Sequence, residues 1–173
     1  MPLLDNNSLP QKTRQRGVTL LDLIITLSIS AILSIAAVSG LAQLKTNFAA
    51  SADKNSLLTL VKAARYTAIA NNTYTTICHL ENNECADFAS PLTAFTDRNN
   101  NKTLNADETI IAIATIDQSA TVYWNRNKRI RFEPNGRAGG FNGTLRYCGE
   151  SKIFKLIISR VGRSRISDAD LCD

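Results

Sequence analysis

The feature that most constrains this chain is an uncharged, largely apolar run over residues 23–44. In a helix that rises about 1.5 Å per residue, such a run extends roughly 33 Å, enough to cross the hydrocarbon core of a bilayer. A basic stretch with Lys12, Arg14 and Arg16 precedes it, and one carboxylate, Asp22, stands at its start. Because positive flanking residues hold the start of such a segment in the cytoplasm, the sequence predicts an N-terminal transmembrane helix.

Three interpretations of this segment are open. A secretory signal peptide has a basic start, an apolar stretch and small residues at a cleavage site, and residues 36–40 supply the small residues. The apolar run is too long for that interpretation, and Asp22 is unusual within it. A plain N-terminal anchor explains the charges but not a glycine followed five residues later by a carboxylate. Since a charge in a membrane segment is costly and is usually retained for a partner, Asp22 is expected to have a function.

The third interpretation comes from residues 17–24, Gly-Val-Thr-Leu-Leu-Asp-Leu-Ile. They resemble the processing site of type IV prepilins and type II secretion pseudopilins, in which a prepilin peptidase cuts after the glycine and methylates the new amino terminus. The resemblance implies that residues 1–17 are a leader peptide ending at Gly17 and that Val18 becomes N-methylated. Asp22 then takes the fifth mature position, usually Glu, where its carboxylate would pair with the amino terminus of a neighbouring subunit.

A narrow apolar stripe continues the helical pattern beyond the uncharged run. Leu57, Val61, Ala64 and Ala68 recur at helical spacing, and the polar cluster at 71–73 predicts the end of the helix. We therefore predict one helix over 18–71. Its transmembrane and filament-core half covers 18–44, and its amphipathic half covers 45–71.

From residue 72 the pattern changes to short β-type runs separated by turns. This predicts a β-rich head over 72–173 and an α+β class in which the long N-terminal helix packs on an antiparallel sheet, as in type IV pilins. Residues 149–152 predict a hairpin connection, and Pro134-Asn135-Gly136 predicts a turn. The predicted strands cover 74–80, 110–116, 121–124, 129–132, 144–148 and 153–161.

Four cysteines follow the apolar run, and an even count fits an oxidising compartment such as the periplasm or the cell surface. Three connectivities are possible. Sequence proximity favours Cys78–Cys85, which leaves Cys148–Cys172 to tie the C-terminal tail to a strand. The spacing does not suit a zinc or redox CxxC motif.

Basic charge is concentrated in residues 125–165. This stretch holds eleven Lys and Arg residues against Glu133 and Glu150, a net charge of +9, whereas the whole chain carries +5. Such a block predicts a polyanionic partner. Its densest part is 159–165, Ser-Arg-Val-Gly-Arg-Ser-Arg, where an apolar strand is followed by three arginines and Gly162 permits a sharp turn. The planar guanidinium group is well suited to bind phosphate oxygens.

The head also resembles the FimT/GspH-type branch of minor pilins and pseudopilins, most closely the FimT-like DNA-binding minor pilins of natural transformation. The matching segments are 95–99 with 107–108, 130–137, 143–148 and the Gly-Arg-Ser-Arg end at 162–165.

The resemblance implies that Arg160, Arg163 and Arg165 contact DNA, supported by Gly162 and Ser164. Further basic residues would extend this surface. Arg129 and Arg131 alternate with apolar residues, so both are expected on one exposed sheet face. The extending residues are Lys155, Arg146, Arg129 and Arg131.

The expected function is that of a minor type IV pilin. It would be a single-pass inner-membrane protein with its head in the periplasm and would then join other major and minor pilins in a cell-surface pilus. Its head would bind double-stranded DNA without sequence preference, for uptake in natural transformation. Two other functions stay open: a GspH-like structural or assembly pseudopilin without DNA binding, and an adhesin that binds anionic polysaccharide. For the arginine cluster itself, the alternative to DNA contact is a solvated basic loop, or arginines paired with Asp168 and Asp170 just downstream.

No catalytic or cofactor-binding constellation emerges, so we expect neither enzymatic activity nor a cofactor. His79, the single histidine, lies in the predicted disulfide loop without a nucleophile beside it. Tyr123 and Trp124 are candidates for stacking on a base, although core packing is favoured for Trp124. A weak calcium candidate has EF-hand spacing, but Lys102 replaces the glycine of such loops, which favours a polar hairpin loop. Its residues are Asp97, Asn99, Asn101 and Glu108.

Overall fold

The computed structural model describes residues 17–126 and 128–172, without the side chains of 36–40 and 42. The chain divides into two compact units, and the division falls between Leu41 and Ala42 in the sequence. Residues 1–16, which make up almost all of the predicted leader peptide, lie outside the described residues.

The helix α1 spans Leu20–Ala70, close to the predicted 18–71. At its start the Asp22 carboxylate accepts hydrogen bonds from the Thr19 amide (3.1 Å) and hydroxyl (2.9 Å), and the Asp22 amide donates to the Thr19 hydroxyl (3.3 Å). This reciprocal pair satisfies amide groups that a helix start leaves free.

Among the described residues, no helix combines the length and the hydropathy that a membrane crossing requires.

In the second unit, α1 ends at the predicted polar cluster. Asn72 adopts a left-handed φ of 49°. The amide of Thr73 then donates to the carbonyl of Ala68 (3.1 Å), and the amide of Asn72 donates to that of Ile69 (3.4 Å). This is the usual way in which a residue with positive φ satisfies the last carbonyls of a helix.

The described residues of the second unit form ten strands. One four-stranded antiparallel sheet has the order β5-β4-β1-β7, a second has the order β10-β9-β8-β6, and β2 and β3 form a ribbon. A short 3-10 turn, Gly139–Phe141, follows β7. The strands are β1 Thr75–Cys78, β2 Leu80–Glu81, β3 Glu84–Cys85, β4 Leu92–Thr96, β5 Ile110–Ala114, β6 Thr121–Trp124, β7 Ile130–Phe132, β8 Gly143–Cys148, β9 Ile153–Ile158 and β10 Ser164–Asp168.

One apolar core joins α1 to both four-stranded sheets. The predicted stripe of Leu57, Val61, Ala64 and Ala68 is at most 1% exposed, which confirms the amphipathic interpretation of this part of the helix. Trp124 is 3% exposed and belongs to the same core, as predicted. The fold is therefore the predicted helix on an antiparallel β head.

Three strands, β3, β4 and β10, lie outside the predicted ranges. Every residue of β4 is buried, so β4 lacks the polar alternation that identifies a half-exposed strand. The sequence left a solvated basic loop open as an alternative for the segment of β10, but this segment pairs antiparallel with β9 from Ser164 to Asp168. The hairpin between β8 and β9 and the turn at Gly136, whose φ is 73°, are confirmed.

The structure contains the disulfides Cys78–Cys85 and Cys148–Cys172, which confirms the predicted pairing. The first joins the end of β1 to the ribbon strand β3. The second joins the end of β8 to the segment after β10. The two bonds therefore restrain the ribbon and the C-terminal tail, which lie outside the main sheets.

Candidate nucleic-acid interface

The turn over residues 159–163 joins β9 to β10 and carries two of the three predicted arginines. The amide of Ser159 donates to the carbonyl of Arg163 (2.9 Å), and the amide of Gly162 donates to the carbonyl of Ser159 (2.8 Å). The hydroxyl of Ser159 also accepts the amide of Arg163 (3.1 Å). Gly162 has a φ of 81°, and a Cβ there would overlap the carbonyl oxygen of Gly136. Only glycine fits both requirements, so the turn is a defined structure.

Arg160, Arg163 and Arg165 are all exposed. Within the described part of the chain, none of them lies within 4.0 Å of a carboxylate. Asp168 is three residues beyond Arg165 on β10, and strand alternation places the two on opposite faces. Asp170 makes no ion pair with them either. The structure therefore does not show the alternative in which the downstream acids neutralise these arginines.

Arg165 shares the outer face of the second sheet with two other cations. It lies opposite Ile157 on β9, and Lys155, two residues away on the same face, lies opposite Arg146 on β8. Residues directly opposite each other in a sheet have Cβ atoms about 5 Å apart, and like charges there are destabilising. The Arg146–Lys155 pair has no carboxylate partner among the described residues. This arrangement favours an external anion on this face.

We call this surface the basic face, and it combines the outer face of the second sheet with the adjoining turn. Tyr123 extends it on β6, where it lies opposite Arg146 and is 65% exposed. Gly162 supplies the positive φ that the turn requires. The cations of the basic face are Arg146, Lys155, Arg160, Arg163 and Arg165.

Ser164 lies on the other side of the sheet. It is paired with Ile158, which is buried in the core, so its side chain lies on the face that α1 covers. Residues on β10 alternate between faces, and Arg165 therefore lies on the opposite face from Ser164. The structure does not place Ser164 beside Arg165 on the basic face.

Arg129 and Arg131 lie on one side of the first sheet, as predicted, but that side is not exposed. Arg129 is 7% exposed, and its Nη1 lies 3.9 Å from Oδ2 of Asp97. Both guanidinium groups lie over the ring of Phe141, at 4.9 and 4.3 Å from its centroid. Burial lowers the pKa of Arg129, and the Asp97 carboxylate opposes that change. The predicted exposure is wrong because the turn Gly139–Phe141 covers these residues.

A side-chain carboxylate holds the predicted calcium loop together through hydrogen bonds from backbone amides. The Glu108 carboxylate accepts the amides of Arg98 (2.7 Å) and Asn105 (3.0 Å). Lys102 does adopt a positive φ, 70°, as the glycine of a calcium loop would. Within the described ranges, no group of three acidic, histidine or cysteine side chains is placed to hold a metal ion. The arrangement agrees with the polar loop that the sequence favoured.

Sequence reasoning missed the contribution of α1. The Nε of Arg65 donates to the carbonyl of Gly136 (3.0 Å), and its Nη2 donates to the carbonyl of Val161 (3.3 Å). Arg65 therefore ties the 159–163 turn to the helix. Tyr66, beside it, is 73% exposed. The sequence did contain a signal for this contribution. Lys62, Tyr66 and Ile69 recur at helical spacing on a different face of α1 from the apolar stripe.

Comparison with known proteins identifies the family. The family described as "Type II transport protein GspH" matches residues 54–162, more than half of the chain. No curated protein shows a significant match. A crystal structure of the type IV minor pilin FimU from Pseudomonas aeruginosa has a TM-score of 0.50 at 19% identity, covering 71% of this chain and 90% of that chain. A second crystal form of FimU has a TM-score of 0.48 at 19% identity, covering 68% and 90%.

The first FimU structure, at this level of identity, shows that the fold is that of a pilin. The long helix, its apolar stripe and the antiparallel sheets agree with that fold. The family and the fold are those of structural pilin proteins. The chain belongs to the GspH family of minor pilins and pseudopilins.

Proposed function

We propose that this chain is a minor type IV pilin that binds extracellular double-stranded DNA through the basic face, for DNA uptake in natural transformation. The observation that carries the proposal is the grouping of five cations on one face and its adjoining turn, without a carboxylate partner among the described residues. A sheet that places Arg146 opposite Lys155 has a like-charge cost that a bound polyanion removes.

The mechanism is capture of backbone phosphates. Arginine forks bind phosphate oxygens through charge-assisted hydrogen bonds. Such contacts carry no sequence information, so binding is non-specific and falls steeply as salt rises. The hydrogen-bonded 159–163 turn holds Arg163 in place before DNA arrives, which reduces the entropy lost on binding. One subunit binds weakly, so several contacts act together on one DNA molecule.

The same proposal includes assembly. Prepilin peptidase would cut after Gly17 and methylate Val18, and the chain would be held in the inner membrane with its head in the periplasm until it joins other pilins. Asp22 would exchange its hydrogen bonds with Thr19 for the cationic amino terminus of a neighbouring subunit. Retraction of the pilus would then draw the bound DNA inward.

A second candidate function is a structural or assembly role without DNA binding, as a GspH-like pseudopilin of a type II secretion or type IV pilus system. The observation that favours it is the family match itself, whose description is that of a type II transport protein.

Titration of the full chain in detergent micelles with duplex DNA tests the proposal. A fluorescent duplex of about 20 base pairs would be titrated at about 50 mM and about 200 mM salt. The Arg163→Ala/Arg165→Ala variant should bind at least about tenfold more weakly at low salt, with a salt slope reduced by about 1.8. A matched control is Arg98→Ala/Lys102→Ala, which removes the same charge from an exposed loop of the first sheet. It should change the affinity less than about twofold.

Each outcome separates the candidates. Equal binding by the turn variant and the wild type would remove the turn from the mechanism. Absence of duplex binding by the wild type would leave the structural role. Heparin that competes much better than DNA would identify an adhesin for anionic polysaccharide.

A further inference from the structure

A groove of about 300 Å³ lies within the second unit, between α1 and the 159–163 turn. It meets the basic face at Arg163, which belongs to both. Its described lining contains three cations, one aromatic ring and no carboxylate. The lining residues are Lys62, Arg65, Tyr66, Ile69, Arg163 and Ser164.

The wall of the groove is held in place by Arg65. Its guanidinium group donates to the carbonyls of Gly136 and Val161, at 3.0 and 3.3 Å. Gly162 and Gly136 pack so closely that a side chain at Gly162 has no room. Arg65 is therefore engaged by the protein itself, which leaves Lys62 and Arg163 as the cations available to a ligand.

Tyr66 presents its ring in this groove. It is 73% exposed, and Ile69, one turn further along the same face of α1, is 50% exposed. No hydrogen bond or aromatic contact of Tyr66 occurs among the described residues. An exposed ring in a groove that is also lined by cations suits single-stranded nucleic acid, in which bases stack on aromatic side chains and cations hold the backbone.

We propose that this groove binds an unstacked nucleobase of single-stranded DNA, with the base on the ring of Tyr66 and its flanking phosphates on Lys62 and Arg163. The inference rests on the proposed function and deepens it, because it adds single strands and frayed duplex ends to the ligands of the same site. Bases within a duplex are stacked on each other and do not reach the ring. Every base has a π face, so the groove selects no particular sequence.

A neighbouring pilin subunit is the alternative occupant of an exposed helix face. The charges favour DNA, since every charged residue named in the groove and in the adjoining basic face is a cation. A protein surface that fits there would have to bring several carboxylates of its own. The experiment below makes this alternative one of its outcomes.

The test compares two oligonucleotides that differ only in their bases. One is oligothymidylate of about twelve nucleotides, and the other is an abasic oligonucleotide of equal length and charge. The full chain in detergent micelles should bind the first about five- to tenfold more tightly. Tyr66→Ala and Tyr66→Leu should remove that preference, and Tyr66→Phe should keep it, because the ring and not the hydroxyl makes the contact. The leucine variant separates the aromatic face from apolar bulk.

Phe48→Ala is the matched control. Phe48 is also an exposed aromatic residue of α1, 66% exposed, and 18 residues before Tyr66 in the helix. Its substitution should leave the base preference as in the wild type. The circular dichroism of each variant checks that the fold is kept.

The outcomes of this test are separate from those of the proposed function. The Arg163→Ala/Arg165→Ala variant should weaken both oligonucleotides, whereas Tyr66→Ala should weaken only the one with bases. Equal wild-type affinity for the two oligonucleotides would overturn the inference while duplex binding stands. Unchanged base preference in Tyr66→Ala would also overturn the inference. A filament-assembly assay of the same variant, if it then showed loss of assembly, would assign the groove to a neighbouring subunit.

Discussion

Beside the first sheet, Arg129 and Arg131 lie under a turn and stack on Phe141, whereas Arg146 and Arg165 lie on the outer face of the second sheet without a carboxylate partner among the described residues. Arg131 on β7 and Arg146 on β8 each lie between two apolar residues of a short antiparallel strand. Arg129, which is buried, and Arg131, which is half-buried, have the Asp97 and Glu133 carboxylates within 4 Å. The same residue type in the same local pattern therefore has two different environments.

The difference teaches how to separate arginines that stabilise from arginines that bind. A buried cation that loses its partner is costly, so Arg129 and Asp97 depend on each other. Exposed charges contribute little to stability, so those of the basic face are free to serve a ligand.

The largest effect is expected for Arg129→Ala. It leaves the Asp97 carboxylate, which is fully buried, without its cation, and should lower the free energy of unfolding by about 3 kcal/mol. Urea-induced unfolding of the full chain measures the loss. The control Arg165→Ala should change the free energy of unfolding by less than about 0.5 kcal/mol. Equal losses of unfolding free energy in the two variants would contradict the distinction between stabilising arginines of the first sheet and exposed arginines of the second.

Gly162→Ala should follow, at about 2 kcal/mol, because alanine is strained at positive φ and its Cβ overlaps the carbonyl oxygen of Gly136. Thermal unfolding measures the loss, and weaker duplex binding should accompany it because Arg163 is displaced. Gly140→Ala is the matched control, since a Cβ there meets no atom within 4 Å. If Gly162→Ala leaves the thermal stability unchanged, the 159–163 turn does not need a positive φ at residue 162.

Tyr147→Phe tests the inner face of the second sheet. The Tyr147 hydroxyl donates to Oδ2 of the buried Asp53 (2.9 Å), so its loss should cost about 1 to 2 kcal/mol. Burial, then the hydrogen bond to Asp53, raises the pKa of Tyr147 above its ordinary value of 10. Folding therefore favours the neutral phenol. The contribution of Tyr147 to the stability of the protein is present below pH 10 and is lost as the pH rises further.

The measurement is the free energy of unfolding as a function of pH. The wild type should lose stability above pH 10 more steeply than Tyr147→Phe does. Tyr123→Phe, on the neighbouring strand and 65% exposed, is the control and should keep the steeper wild-type profile. Parallel profiles for the wild type and Tyr147→Phe would contradict the assigned pKa direction.

The smallest effects are expected for Arg146→Gln and Lys155→Gln. Each should weaken duplex binding about two- to threefold and lower the salt slope by about 0.9, because one phosphate contact is lost. The free energy of unfolding should equal that of the wild type or be slightly higher, since either substitution removes a like-charge pair. Arg98→Gln, exposed on the loop after β4, is the control for charge alone. An equal effect of the control would extend the interface beyond the basic face.

The local pattern of the sequence was sufficient for several elements. Apolar spacing predicted α1 and its buried stripe, and the Pro-Asn-Gly turn and both disulfides were predicted as well. Strand β10 was missed because it is a short edge strand, and the arginines at 163 and 165 are as typical of an exposed loop as of a strand. Strand β4 was missed because it is buried on both faces.

The sequence by itself determined what depends on neighbouring residues: the helix period, the ends of the helix, the turns and the concentration of basic charge. Only the tertiary structure decided which arginines are covered, because the turn that buries Arg129 and Arg131 packs on them after β7 has ended. It also decided the groove, since Arg65 reaches carbonyls 71 and 96 residues away. Strand alternation assigns a residue to a face, but distant segments decide whether that face meets water or protein.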